Sequence, residues 1–237
     1  MELDYKFMRD MFFMSLKAIP VTFEITLVTL IYAVPVGFFI AIICFNKVPV
    51  LSRIFKVYIS FIRGTPLILQ IFLIYNSLPS LLAYLFKKFE IGYNIFDLNN
   101  IVYAFIVFSI SETAILAEVF RSALLTVDKG QLEAAQAIGL TKAQGYLRIV
   151  IPQALTASIP VFCNSTMSLI KATSLAFSMS VREITAIAKI EGGTRGAWIE
   201  AYLVIAAVYF VLIFTVEKGF KLFEKHMVVY KGVNESA

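Results

Sequence analysis

Two ionisable residues lie where lipid would make them costly. Glu112 falls in the middle of the apolar run 101–120, and Lys171 in the run 155–179. Inside a bilayer a charged side chain is retained when it pairs, faces a water-filled cavity or handles a solute, so both are candidates for solute binding. The bland alternative is that they pair with each other, or with another subunit, as structural glue. Thr173 and Ser174 follow Lys171 closely, while Thr65 with Gly64 and Pro66 marks an irregular helix start and Gln70 lies just beyond it. Interrupted membrane helices free backbone groups that can bind a solute, which makes Thr65 and Gln70 candidates as well. Glu118 and Arg121 have the i, i+3 spacing of a helical ion pair, with Arg63 at a similar depth, and read as structural pairs or gate elements. Metal and acid–base chemistry find no support. His226 is the single histidine and has no ligand-spaced companion, and Cys44 and Cys163 sit in apolar runs as core residues. A membrane enzyme would need a cluster of titratable groups at one face, and none is visible.

The elements that must carry these residues follow from composition. Of 237 residues, 59% are hydrophobic and only 16% charged, with a mean hydropathy of +0.83. That is an integral membrane chain, not a soluble domain. The net charge of +5 does not mark a nucleic-acid surface, because the basic residues form no contiguous run. Crossing about 30 Å of hydrocarbon takes roughly 20 apolar residues. Five helical spans are expected, at 20–45, 54–78, 101–120, 155–179 and 198–216, forming an all-α permease domain over 20–220. Residues 1–19 carry Glu2 and Asp4 and lack a small-residue cleavage site, which argues against a cleaved signal peptide. With Phe7, Met8, Met11, Phe12 and Phe13 among Lys6, Arg9 and Lys17, they read as an interfacial helix. Residues 221–237 form a tail.

Basic residues choose the orientation. One set of inter-span segments holds Lys47, Arg53, Lys56, Arg121, Lys129, Lys142, Arg148, Lys218, Lys221, Lys225 and Lys231. The opposite set is poorer, with Lys6, Arg9, Lys17, Lys87, Lys88, Arg182, Lys189 and Arg195. The positive-inside rule puts the N-terminus outside and the C-terminus in the cytoplasm.

A polar insert at about 128–152 then faces the cytoplasm. It reads as two short helices. Asp128 can cap the first, Gly139 suits the left-handed residue that ends it, and Thr141 with Gln144 forms a capping box for the second. Pro152 is expected to stop the pattern before the next span. Glu133 with Ala134 and Ala135 gives a surface that another backbone can approach closely. On spacing alone, an ordinary solvated loop is an equal alternative.

The string EAAQAIGLTKAQGYLRIVIP at 133–152 resembles the EAA motif of permease subunits in ATP-binding-cassette importers, with Ile151 where the family usually has Leu. IRGTPLILQIFLIYNSLP at 62–79, AEVFRSALLTVDKGQ at 117–131 and IKATSLAFSMSVREIT at 170–185 are similar to the polar amino acid branch of that family. The likeness covers about 20–220. It implies a permease subunit that works with a second, similar subunit, an ABC ATP-binding subunit and an extracytoplasmic solute-binding protein, in a bacterial cell membrane. The chain has no glycine-rich phosphate loop, so ATP is used by the partner and no cofactor is bound here. The resemblance assigns docking of the ATPase to Glu133, Ala134, Ala135 and Gly139. For an amino-acid solute, Lys171 with Thr173 and Ser174, whose K-x-T-S string matches the family's, could receive the carboxylate and Glu112 the ammonium, although the family does not usually place an acid at that position. FRSALLTVDKGQ points first to cystine, with glutamine and basic amino acids next. The competing class is a stand-alone, ion-driven secondary transporter or channel, which would explain Glu112 and Lys171 but not the insert.

Overall fold

The structure, a computed structural model, describes residues 3–229, with side chains to residue 224. Within these residues every regular element is helical: α1 (Tyr5–Phe45), α2 (Leu51–Gly64), α3 (Leu67–Lys88), α4 (Asn100–Thr126), α5 (Lys129–Ala137), α6 (Lys142–Gly145), α7 (Ile151–Ala172), α8 (Ile184–Arg195) and α9 (Trp198–Val229). Five stretches are long and apolar enough to cross a membrane: α1, α3, α4, the continuous run Lys142–Met179, and α9 as far as Glu224. His226 and the tail beyond Val229 lie outside the described side chains and residues, respectively.

The expected interfacial segment and first span form one helix. α1 has 41 residues, started by the Asp4 carboxylate, which accepts the Phe7 N–H at 2.9 Å. At 1.5 Å per residue it is about 60 Å long, twice the hydrocarbon thickness. Phe7 and Met11 do not lie on a surface. They are buried among Ile184, Ala188, Ala201 and Val204 of α8 and α9.

α1 packs along α4 through small residues. Ala33, Gly37 and Ala41 repeat every four positions on α1, and Ala114 and Ala117 face them from α4, all four alanines fully buried. Lipid tails give helices no hydrophobic reason to associate, so close backbone approach between small residues does it. Phe38 meets Phe120 edge to face beside this seam, with ring centres 5.5 Å apart.

The second span departs from expectation. In place of one helix over 54–78, the chain breaks at Thr65 and Pro66, and the spanning helix is α3, which continues to Lys88. Proline disfavours helical geometry in the residue before it, and Thr65 is accordingly extended. The break leaves the last carbonyls of α2 without helical partners. Gln70, on the first turns of α3, takes up two of them: its Nε2 donates to the Ile62 carbonyl at 2.8 Å and the Thr65 carbonyl at 3.1 Å. α2 is held to α4 by the Tyr58 hydroxyl, which donates to the Ile110 carbonyl at 2.6 Å.

Pro152 does not stop a helix. A π turn over Tyr146–Val150 carries α6 into α7, and the 3₁₀ segment Thr173–Met179 extends α7 in turn. A proline has no N–H and crowds the carbonyl four residues back; one widened turn relieves both at the start of α7.

Candidate solute and docking sites

Residues 128–152 fold into a compact elbow. The Asp128 carboxylate accepts the Gly130 N–H at 2.7 Å at the start of α5. Gly139 has φ +89°, a conformation that side chains rarely adopt, and turns the chain between the helices. The capping box is complete: the Thr141 hydroxyl accepts the Gln144 N–H, and the Gln144 carbonyl oxygen accepts the Thr141 N–H at 2.9 Å. Glu133, Ala134 and Gly139 are exposed, but Ala135 is not. It packs under α5 against Gly145, where an added methyl would come within 3.4 Å of it. Its small size therefore lets α5 and α6 close on each other and gives nothing to an outer surface. Ile138, which no spacing or cap singles out, is 78% exposed beside Gly139. Phe45 at the end of α1 meets Tyr146 of the π turn edge to face, at 6.2 Å, and so ties the elbow to the longest helix.

Glu112 and Lys171 are not brought together within the chain. Glu112 is buried on α4 and lines a cavity of about 380 Å³ between α4 and α7, with Leu67 at the start of α3 also in its lining. The Ser165 hydroxyl of α7 donates to its carboxylate, and Ser111, Asn164 and Ser168 add polar groups to an otherwise apolar lining. These partners were legible as a stripe: 161, 164, 165, 168, 169 and 172 follow the i, i+3, i+4 spacing of one helix face.

Lys171 lines a second cavity, of about 490 Å³, with Ser174, Thr185, Tyr202, Ile205, Ala206 and Tyr209. It has no ion-pair partner among the described residues. Thr173 is fully buried and spends its hydroxyl on the Ile170 carbonyl at 2.7 Å, so it supports the end of α7 and does not line either cavity. Both volumes suit small polar solutes. A larger hollow of about 740 Å³ between α1, α2 and α4 is lined by residues such as Val28, Val36, Ile40 and Phe105 and has no charged group to orient one.

Most of the remaining candidates are engaged within the chain. Arg121 forks onto Glu118, with Nε donating to Oε2 at 2.9 Å and Nη2 to Oε1, while Arg63 stands exposed at the nearby end of α2. Thr65 donates its hydroxyl to the Phe61 carbonyl at 2.9 Å and accepts from Gln70 Nε2, so both hold the break, while the buried Oε1 of Gln70 has no partner among the described residues. Among the described residues there is no cluster that could hold a metal ion.

Residues 33–229 match the family described as binding-protein-dependent transport system inner membrane component. The chain belongs to that family. It is therefore a multi-pass protein of the bacterial inner membrane. The permease is 39% identical over 225 residues to the probable amino-acid permease protein YxeN of Bacillus subtilis, covering 95% of this chain and 96% of that one. It is 33% identical over 209 residues to the L-cystine transport system permease protein TcyL of the same organism, covering 88% and 85%. Its fold matches a crystal structure of an amino acid ABC transporter with histidines, at a TM-score of 0.81 and 28% identity, covering 95% of this permease and all of that chain. The methionine transporter MetNI, in an inward-facing form, has the same fold at a TM-score of 0.73 and 14% identity.

Proposed function

We propose that this permease is the membrane subunit of an ABC importer for polar amino acids, cystine first among them, and that the elbow at 128–152 is where a partner ATPase docks. The observation that carries the reading is an exposed, doubly capped elbow in a chain whose other long helices are apolar. It is supported by relatives whose names specify amino-acid and L-cystine transport. Glu133, Ala134, Ile138 and Gly139 form the docking face, in the cytoplasm, with the N-terminus outside. ATP binds only to the partner, and this chain needs no cofactor of its own. A second permease subunit completes the path and an extracytoplasmic binding protein loads it.

Two cavities serve the solute in succession. α7 runs outward in this orientation, so Lys171 lies six residues, about 9 Å, nearer the outside than Ser165 at the Glu112 cavity. Lys171 and Ser174 take the carboxylate of the arriving amino acid. Glu112, at mid-depth, takes a cationic or hydrogen-bonding group farther along. The test is uptake of radiolabelled L-cystine into proteoliposomes holding the permease, its ATPase and its binding protein. ATP-dependent uptake is expected; uptake that runs on an ion gradient with the permease alone would replace this reading with a secondary transporter.

A further inference from the structure

The cavity beside Lys171 has one wall whose polarity is set from behind. Glu183, immediately before α8, is completely buried. Its carboxyl oxygens take the first N–H groups of that helix: Oε2 accepts from Thr185 at 2.7 Å and Oε1 from Ala186 at 2.9 Å. Tyr209 of α9 donates its hydroxyl to the same Oε2 at 3.0 Å. A tyrosine hydroxyl has one proton and two lone pairs. With that proton given to Glu183, Tyr209 can only accept in its contact with the Thr185 hydroxyl, 3.3 Å away, and the Thr185 proton goes to Tyr209 or to Glu183 itself. Both hydroxyls have then spent their protons. What they present to the cavity is lone pairs only.

Lys171, on the α7 side of the same cavity, is the opposite case, with three donors and no acceptor. Ser174 lies one turn on and has no hydrogen-bond partner among the described residues. A cationic donor thus shares the cavity with two hydroxyl oxygens that only accept, while Tyr202 adds a hydroxyl that can donate or accept and Ile205 and Ala206 supply apolar surface. An inorganic anion or a lipid phosphate would suit Lys171 but meet oxygen lone pairs backed by a buried carboxylate. A group carrying both charges suits the whole cavity.

We propose that this cavity holds the zwitterionic head of the amino acid, with the carboxylate on Lys171 and Ser174 and the ammonium on the oxygens of Tyr209 and Thr185. Glu183 is the positioning residue: it touches no solute and keeps Tyr209 an acceptor. Glu112, in the other cavity, does not take the ammonium of a head group held at Lys171. The assignment rests on the reading of Lys171 as the carboxylate's partner.

The test measures equilibrium binding of radiolabelled L-cystine, L-glutamine and L-arginine, each beside its deamino carboxylic acid, to the purified permease with its ATPase in nanodiscs. At least one amino acid should bind the parent more tightly than its deamino counterpart. Tyr209→Phe keeps the ring and removes the acceptor, so that amino acid should weaken roughly tenfold to hundredfold while the deamino acid is unmoved. Glu183→Leu should do the same, because it removes the acceptor behind Tyr209 and frees the hydroxyl proton for the cavity. Should Glu183→Leu fail to fold, Tyr209→Phe decides. A preference retained in Tyr209→Phe overturns the proposal, as does a preference lost in Glu112→Gln or an absence of binding by all three amino acids. Lys171→Met separates the two claims. Loss of both ligands there upholds the carboxylate reading whatever Tyr209 does, and unchanged binding sinks that reading itself.

Discussion

Gly37 of α1 lies so close to Ala117 of α4 that a methyl group added to the glycine would stand 3.1 Å from the Ala117 nitrogen and 3.2 Å from the Thr113 oxygen. The neighbours there are backbone, which cannot swing aside, so the spacing of these two helices is fixed by the absence of a side chain. Both helices also frame the functional regions, since α4 carries Glu112 and α1 ends against the elbow at Tyr146. Gly37→Leu should force them apart, at a cost of about 1–3 kcal/mol or more, and lower the apparent melting temperature in detergent. A variant that melts with the parent would show that the seam is not a tight contact.

Gln70 is a staple in this structure. Gln70→Leu would leave the Ile62 and Thr65 carbonyls without their donor, for about 1–3 kcal/mol. The loss should appear as faster hydrogen exchange or proteolysis at 62–70. If instead Gln70→Leu is as stable as the parent and lowers only solute affinity, Gln70 is a solute contact.

Glu112→Gln preserves the hydrogen bond from Ser165 and removes the charge. Assembly and basal ATPase activity should be unchanged, with uptake of solutes carrying a cationic group reduced about tenfold or more. Full uptake by this variant would leave Glu112 a structural residue.

Orientation can be read with a cysteine reagent that does not cross the membrane. Cys44 and Cys163 are buried, so a cysteine placed at Asn94 should be labelled in intact cells and one at Thr141 should not. The reverse pattern would invert the membrane topology.

How much was legible in the sequence depended on how local the determinant was. The elbow was read almost residue by residue, because caps and a positive-φ glycine are decided by neighbours within four positions: Asp128, Gly139, Thr141 and Gln144 all act as expected. The five spans were also legible, since hydropathy measures them directly. What failed was non-local or compensated. The Thr65–Pro66 break was noticed, yet its effect on span limits depended on Gln70 closing it from the next helix. Pro152 was expected to break a helix that a π turn accommodates. Glu112 and Lys171 looked like partners because both are charged and apolar-flanked, but helix rotation turns them into different cavities. Glu183 drew no notice, although an acid just before a short helix between two spans is a visible capping signal.

The docking claim turns on Gly139. A side chain added there would meet nothing within 4 Å, so Gly139→Asp disturbs the elbow's exposed face, with Gly139→Ala as the control for the positive φ. The decisive measurement is a mild-detergent purification of the tagged parent, Gly139→Ala and Gly139→Asp from the native membrane, with ATPase activity assayed in each. The parent and the alanine variant should bring down an ATPase, and the aspartate variant should be inserted in the membrane without one. A parent that purifies free of ATPase and still moves amino acids alone in liposomes would contradict the account.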